Sequence, residues 1–171
     1  MHILITNDDG INAPGLLVAE KIAKSIIGNK KGKITIIAPS TEKSGVSHSI
    51  SFVRPSLIQR IEKNKYSLEG TPSDCVLAGI FLAKNDKPDL LLSGVNKGRN
   101  ISDDVLYSGT VGAAIEGALN GIKSIALSQQ YSKETYFSKD LFKCSLKYGI
   151  SICNQIFYSN PFSNKKFRGF Y

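Results

Sequence analysis

The stretch ILITNDDGINAPGLLVAEKIAKSIIGNKKGKITIIA, residues 3–38, decides the fold of this chain. Ile3 to Thr6 is a short apolar run of the length expected for a buried strand. From Pro14 onward Leu16, Leu17, Ala19, Ile22, Ala23, Ile26 and Ile27 recur at three- and four-residue spacings, which predicts a helix. Pro14 suits the first turn, where its missing N–H is not needed, and Gly28 suits the stop. After a polar turn at 29–33, Ile34 to Ala38 reads as a second buried strand. A strand, helix and strand in this order imply a right-handed parallel crossover, the hand that packs the helix back onto the sheet.

The same alternation continues outward from that unit. Residues 40–49 form a polar loop rich in Ser and Gly, and 50–69 alternate like antiparallel strands with a turn near Lys63-Asn64. Thr71-Pro72-Ser73-Asp74 reads as a helix start: a hydroxyl cap, proline at the first position and a carboxylate at the third. Val76, Leu77, Ile80, Phe81 and Leu82 lie on the helix it begins. Asp89 to Ser93 predicts a third buried strand, 94–107 a long loop, and Ser108-Gly109-Thr110 a helix through about Leu119. Ile122 to Ser128 predicts a fourth parallel strand, and 139–157 a last amphipathic helix. The expected fold is α/β: a three-layer, Rossmann-like, doubly wound and mostly parallel sheet with a small antiparallel β-hairpin insertion.

A chain of 171 residues with 42% hydrophobic and 21% charged residues fits one globular domain. No apolar run approaches the length of a membrane span, and the polar Asn7-Asp8-Asp9 follows the first apolar run too soon for a signal peptide. The net charge of +8 is spread over lysines such as Lys30, Lys31, Lys63, Lys65, Lys84, Lys87, Lys165 and Lys166. Without an RNA-binding aromatic signature or a helix-turn-helix pattern, no stable nucleic-acid complex is expected, although a basic surface would steer phosphate-bearing substrates. Cys75, Cys144 and Cys153 are odd in number and form no C-x-x-C pair, so disulfides and thiolate zinc are not expected. All three read as buried small hydrophobes in a cytoplasmic protein.

In an open parallel sheet, ligands bind beyond the carboxyl ends of the strands where the strand order reverses. Asp8 and Asp9 follow the first predicted strand, Ser40 to Ser49 the second, and Gly94-Val95-Asn96 the third. Adjacent carboxylates repel each other and are costly to hold together without a cation. With a serine hydroxyl and an asparagine carbonyl they would make an all-oxygen site suited to Mg²⁺ or Mn²⁺, with Ca²⁺ as a further candidate. Taken alone, Asn7 to Gly10 also reads as a simple turn with helix-capping acids. The helix start at Ser108-Gly109-Thr110 adds a second feature, because helix N-termini present free N–H groups and a favourable dipole to anions. His2 reads as a strand-flanking residue, and His48 as a possible substrate contact in the loop after the second strand.

Several segments occurring in order resemble the SurE family, the stationary-phase survival proteins that act as 5′/3′-nucleotidases. They are Ile3 to Gly10; Ala38-Pro39 with Ser44-Gly45 and Ser47-His48-Ser49-Ile50; and Gly70-Thr71-Pro72 with Asp74-Cys75-Val76. Ser93-Gly94-Val95-Asn96 with Gly98 and Asn100, and Asp104 to Val111, complete the set, and the match runs over residues 1–128. The resemblance implies one divalent metal ion held by Asp8, Asp9, Ser44 and Asn96, with Ser40 an alternative to Ser44. It also implies phosphate contacts from Ser108, Gly109 and Thr110, and hydrolysis of nucleoside 5′- and possibly 3′-monophosphates to nucleoside and phosphate. Asp8 or Asp9 is the expected catalytic carboxylate that orients or deprotonates water. A homodimer or tetramer is implied as well.

Rival readings require other residues. A haloacid-dehalogenase-type phosphatase needs a nucleophilic aspartate two positions before a second one, and that spacing pairs Asn7 with Asp9. A receiver-like regulatory module needs an aspartate ending the third strand, where this chain has Ser93-Gly94, and a lysine ending a later strand, where it has Ser128. Chains of the resembled family are longer. Residues 1–157 are therefore expected to form an α/β phosphatase domain shortened at its C-terminal side, with 158–171 a non-matching tail. The alternative reading of such a chain is a catalytically impaired remnant prone to aggregation.

Overall fold

Residues His2–Thr6 (β1) are buried without a break, and the sheet is built around them. A computed structural model describes residues 1–138 and 141–158 of the chain. β1 pairs in parallel with β2 (Lys33–Pro39) on one side and with β5 (Leu90–Lys97) on the other. Beyond β2 lie β4 (Lys65–Leu68) and then β3 (Ile58–Glu62); beyond β5 lies β6 (Lys123–Gln129). The order is β3-β4-β2-β1-β5-β6, and only the β3–β4 pair is antiparallel.

Side chains alternate across β1 as the pleat requires. Ile3 and Ile5 join one core cluster with Leu16, Ile22, Ile26, Leu90 and Leu92. Leu4 points the other way, into a second cluster with Ile37, Cys75, Val76, Leu91 and Ala113. Helices α1 (Pro14–Ile27) and α5 (Lys143–Tyr158) cover the first face, and α2 (Pro72–Ala83) and α4 (Gly109–Leu119) the second. The helix starts read at Pro14, Thr71 and Ser108 are present. Pro14 opens α1, and Thr71 and Asp74 form a reciprocal capping box at α2.

The expected doubly wound sheet is confirmed, with differences in detail. The stretch 50–57 contains no strand, and the hairpin turns at Lys63-Asn64 with Asn64 at φ 62°. β4 hydrogen-bonds in parallel to β2, so the hairpin extends the main sheet instead of standing apart. The expected loop 94–107 is shorter, because β5 continues through Lys97 and a short helix α3 (Asp104–Tyr107) follows. Sequence periodicity missed this extension because Gly94 and Asn96 lack the apolar character of a buried strand. Among the cysteines, Cys75 and Cys153 are buried, but Cys144 is exposed at the start of α5, so that expectation is corrected. Burial pushes the Cys153 thiol up to about 11 and the Cys75 thiol further, so both are poor nucleophiles. His2 is buried and bonded to Thr35 Oγ1 at 2.8 Å and to the Asp86 carbonyl at 2.6 Å, a structural part of the strand. From residue 159 on, the expected tail lies outside the described residues, as do residues 139 and 140 of the last predicted helix. No described helix is long and apolar enough to cross a membrane.

The chain leaves β1 through α1 toward β2, and later crosses back through α2 to reach β5 on the opposite side of β1. The order therefore reverses at β1, and a crevice opens beyond the carboxyl ends of β1 and β5.

Candidate active site

Asn7 shapes the exit from β1. It is fully buried; its Oδ1 accepts from the Gly10 N–H at 3.2 Å, and its Nδ2 donates to the Gly10 carbonyl at 2.9 Å. This closed turn holds Asp8 and Asp9 at the strand end. Gly10 has φ +99°, a conformation that favours glycine.

Asp8 is 3% exposed. Its Oδ1 accepts from Thr110 Oγ1 at 2.6 Å and its Oδ2 from the Thr110 N–H at 3.1 Å. The carboxylate thus rests on the first turn of α4, where unpaired N–H groups and the helix dipole favour negative charge. Gly109 permits the approach: a Cβ there would lie 3.0 Å from Asp8 Cβ and 3.1 Å from Pro72 Cγ. Ser108 caps the helix, its Oγ accepting from the Val111 N–H at 3.1 Å.

Asp9 Oδ2 accepts from the Lys97 N–H at 3.1 Å, which ties the exit of β1 to the end of β5. Asn96, one residue earlier, is buried and donates through Nδ2 to the Gly98 carbonyl at 3.1 Å. Its carbonyl oxygen has no protein donor among the described residues. The loop after β2 is drawn over the same edge, because the Lys43 N–H donates to the Asp8 carbonyl at 2.7 Å. Ser44 follows, exposed, with its Oγ donating to Glu42 Oε1 at 2.8 Å. Ser40 stays with the sheet, its N–H donating to the Leu68 carbonyl. A cavity of about 340 Å³ lined by Asp9, Asn12, Glu42, Lys97 and Phe142 opens beside these residues.

Burial raises the pKa of both aspartates. For Asp8, burial outweighs the two bonds from Thr110, and the charge of Glu42 adds to the rise. For Asp9, burial pushes the carboxyl up to about 6 against the Lys97 N–H bond, with Asp8 and Glu42 contributing repulsion. No ion pair with either carboxylate is formed among the described residues. Two adjacent carboxylates, Asp8 buried and Asp9 partly so, without a cationic partner are what a bound cation would compensate. Among the described residues no group of three or more His, Cys, Asp or Glu side chains forms a metal cluster. A cation here would therefore rest on Asp8 and Asp9 plus the neutral oxygens of Asn96 and Ser44, a hard donor set. The residues present fit such an ion.

The structure brings Asp8, Asp9, Asn96, Ser108, Gly109 and Thr110 to one crevice, and places Ser44 on the loop above it. Thr110 is fully buried, and both its N–H and its hydroxyl are given to Asp8. The helix N–H left nearest the crevice is that of Gly109. His48 bonds through Nε2 to Glu116 Oε2 at 2.7 Å. Sequence reasoning did not single out Glu42, Lys97 or Glu116. A carboxylate two residues before Ser44 was the available signal for Glu42. Lys97 acts on Asp9 through its backbone N–H, which no residue type reveals.

A family model described as Survival protein SurE matches residues 3–167. The chain is 44% identical to the 5′-nucleotidase SurE of Roseobacter denitrificans, aligned over 100% of this chain and 66% of that protein. It is 46% identical to the 5′-nucleotidase SurE of Cereibacter sphaeroides, with the same coverage. The crystal structure of the SurE protein from Aquifex aeolicus superposes with a TM-score of 0.76 at 35% identity, over 92% of this chain and 60% of that one. The chain thus spans just under two thirds of the length of these relatives.

Proposed function

Because this chain belongs to the Survival protein SurE family, we propose that it is a metal-dependent phosphomonoesterase that hydrolyses nucleoside 5′-monophosphates, and 3′-monophosphates as a secondary activity. The observation that carries the reading is the Asp8–Asp9 pair, Asp8 buried on a helix N-terminus and Asp9 partly buried beside it, with no cationic side chain bonded to either. Asp8, Asp9, Asn96 and Ser44 would hold one divalent ion, Mg²⁺ or Mn²⁺ before Ca²⁺. Bound there, the ion supplies a Lewis acid that neutralises phosphate charge and acidifies water.

The chain's own groups do the rest. Thr110 holds Asp8 through two hydrogen bonds, so that its orientation is fixed before substrate arrives. Asp9, tied through Oδ2 to the Lys97 N–H and lining the cavity beside Glu42, is the carboxylate to which we assign the base. The Gly109 N–H and the Ser108 turn, at the start of α4, would contact the phosphate oxygens. Assembly into a homodimer or tetramer is part of the same proposal, and sedimentation of the purified chain measures it.

The test is phosphate release from nucleoside monophosphates by the purified chain, with Mn²⁺ or Mg²⁺ added and with a chelator. Metal-dependent turnover is expected, and Asp8→Asn should lower it by at least about 10²-fold. Turnover unchanged in Asp8→Asn removes the carboxylate from the mechanism.

A further inference from the structure

One face of α4 is a ruler laid along the crevice. Gly109, Gly112 and Glu116 recur at spacings of three and four residues, which stacks them along one side of the helix. At Gly109 the helix meets Asp8. At Gly112, one turn on, it meets the loop after β2, where a Cβ would lie 2.5 Å from the Ser47 carbonyl oxygen and 2.9 Å from His48 Cα. The His48 backbone therefore sits about one helical turn, roughly 5–6 Å along the helix, from the Asp8 contact. One further turn on, Glu116 receives the His48 ring, Nε2 to Oε2 at 2.7 Å.

Glu116 is 6% exposed and has both carboxylate oxygens engaged, the second accepting from Asn120 Nδ2 at 2.7 Å. The His48 ring and the Asn120 amide are thus the two side-chain partners of this nearly buried carboxylate. The His48 ring is 30% exposed, and its Nδ1 has no protein partner among the described residues. The loop around it is fastened on both sides. The Ser47 N–H donates to the Tyr107 carbonyl at 2.9 Å, Ser47 Oγ donates to the Leu106 carbonyl at 2.7 Å, and Thr71 Oγ1 donates to the Ser49 carbonyl at 2.6 Å. The ring thus has an inner nitrogen held on Glu116 and an outer nitrogen with no protein partner among the described residues, on a loop fastened at Ser47 and Ser49.

We propose that His48 is the proton donor to the leaving group, and that Glu116 is the positioning residue that orients its ring. This rests on the phosphomonoesterase reading of the site. In the step, the oxygen of water attacks phosphorus and gives a proton to the Asp9 carboxylate. The bond between phosphorus and the ribose oxygen breaks, and its electron pair stays on that oxygen. The Nδ1–H of the imidazolium supplies the proton, leaving neutral imidazole, nucleoside and phosphate. Return of the Asp9 proton to solvent and uptake of one by His48 restore the starting state.

The arrangement separates substrates by their leaving groups. A ribose oxygen departs poorly as an alkoxide and needs the proton, whereas nitrophenolate departs without one. The test compares a nucleoside 5′-monophosphate with p-nitrophenyl phosphate for the full chain, His48→Gln, Glu116→Gln and the double variant, all with saturating Mn²⁺. His48→Gln is expected to lower kcat for the nucleotide by about 10²-fold or more, while p-nitrophenyl phosphate stays within about threefold. Glu116→Gln should fall in the same selective way, and the double variant should be no worse than His48→Gln, since the two act as one unit. An equal loss on both substrates, or no loss on either, overturns the proton-donor role. Failure of the unsubstituted chain to hydrolyse either substrate overturns the phosphomonoesterase reading as well, so the two failures are told apart.

Discussion

Thr110→Val is the sharpest probe of how the Asp8 carboxylate is held. Valine has nearly the shape of threonine, and position 110 is fully buried, so the change removes one hydroxyl and little volume. It deletes the 2.6 Å bond from Thr110 Oγ1 to Asp8 Oδ1 and leaves the 3.1 Å bond from the Thr110 N–H in place. A hydrogen bond to a charged group contributes about 1.5–3 kcal/mol. If the bond orients Asp8 for metal, that corresponds to a loss of roughly 10- to 150-fold in metal affinity or turnover, at about 1.4 kcal/mol per tenfold. Outer partners of ligating carboxylates elsewhere give losses of about 10- to 100-fold.

The assay is Mn²⁺ titration by calorimetry, together with kcat at saturating metal, on the parent chain, Thr110→Val and Thr110→Ser. The serine variant retains the hydroxyl and should recover most of the loss. Because Thr110 donates to the charged form of Asp8, its hydroxyl opposes the upward displacement that burial imposes. Removing it should move the low-pH limb of metal binding to higher pH. A Thr110→Val chain with parental Mn²⁺ affinity, turnover and pH profile refutes the claim that α4 presents Asp8.

The pH dependence of metal binding follows from Asp9, whose carboxyl is pushed up to about 6, and Mn²⁺ affinity should drop as pH falls through about 6 because proton and metal compete. Its folded pKa lies above the unfolded value of 3.8, so the stability associated with protonated Asp9 is present at low pH and lost as pH rises through about 6. The metal-free chain should therefore melt lower at about pH 7 than at about pH 5 with respect to this group, and added Mn²⁺ should close the gap; melting curves with and without chelator check both. Asp74→Ala removes bonds from the Ser51 N–H, Ser51 Oγ and the Thr71 N–H and breaks the capping box of α2, which should cost about 2–3 kcal/mol in urea unfolding. A cost below about 0.5 kcal/mol would show that the box is unimportant. Gly94→Ala should fail more severely, because φ is +127° there and a Cβ would lie 2.3 Å from the Leu127 carbonyl oxygen. Backbone strain and overpacking together set a loss of about 2–5 kcal/mol, seen as insolubility or a large fall in Tm.

Legibility from sequence followed the physics of each feature. The opening β-α-β unit was readable because burial on both faces writes a continuous apolar run for β1 and a 3.6-residue period for α1. The Asp8–Asp9 pair was readable because adjacent carboxylates at a strand end are chemically costly wherever they occur. Lys97 was not, since its contribution to Asp9 is a backbone N–H that every non-proline residue carries. Glu42 looked like any charged loop residue until the bond from the Lys43 N–H to the Asp8 carbonyl brought the loop over the crevice. The polar end of β5 hid for a related reason. Asn96 is buried in the strand although polar, its Nδ2 donating to the Gly98 carbonyl two residues on, beyond the apolar run that marked the strand as far as Ser93.

Glu116 shows how far a local pattern can be pushed once its partners are known. In sequence, Gly-x-x-Gly-x-x-x-Glu on a helix reads as two small residues and one solvated acid. The fold makes the two glycines points of close backbone approach, to Asp8 and to the 47–48 loop, and it buries the acid. A buried carboxylate is costly to hold without partners, so the His48 and Asn120 bonds are the condition under which Glu116 can occupy that position. The same helix therefore presents the Asp8 ligand at its first turn and holds the His48 ring at its third.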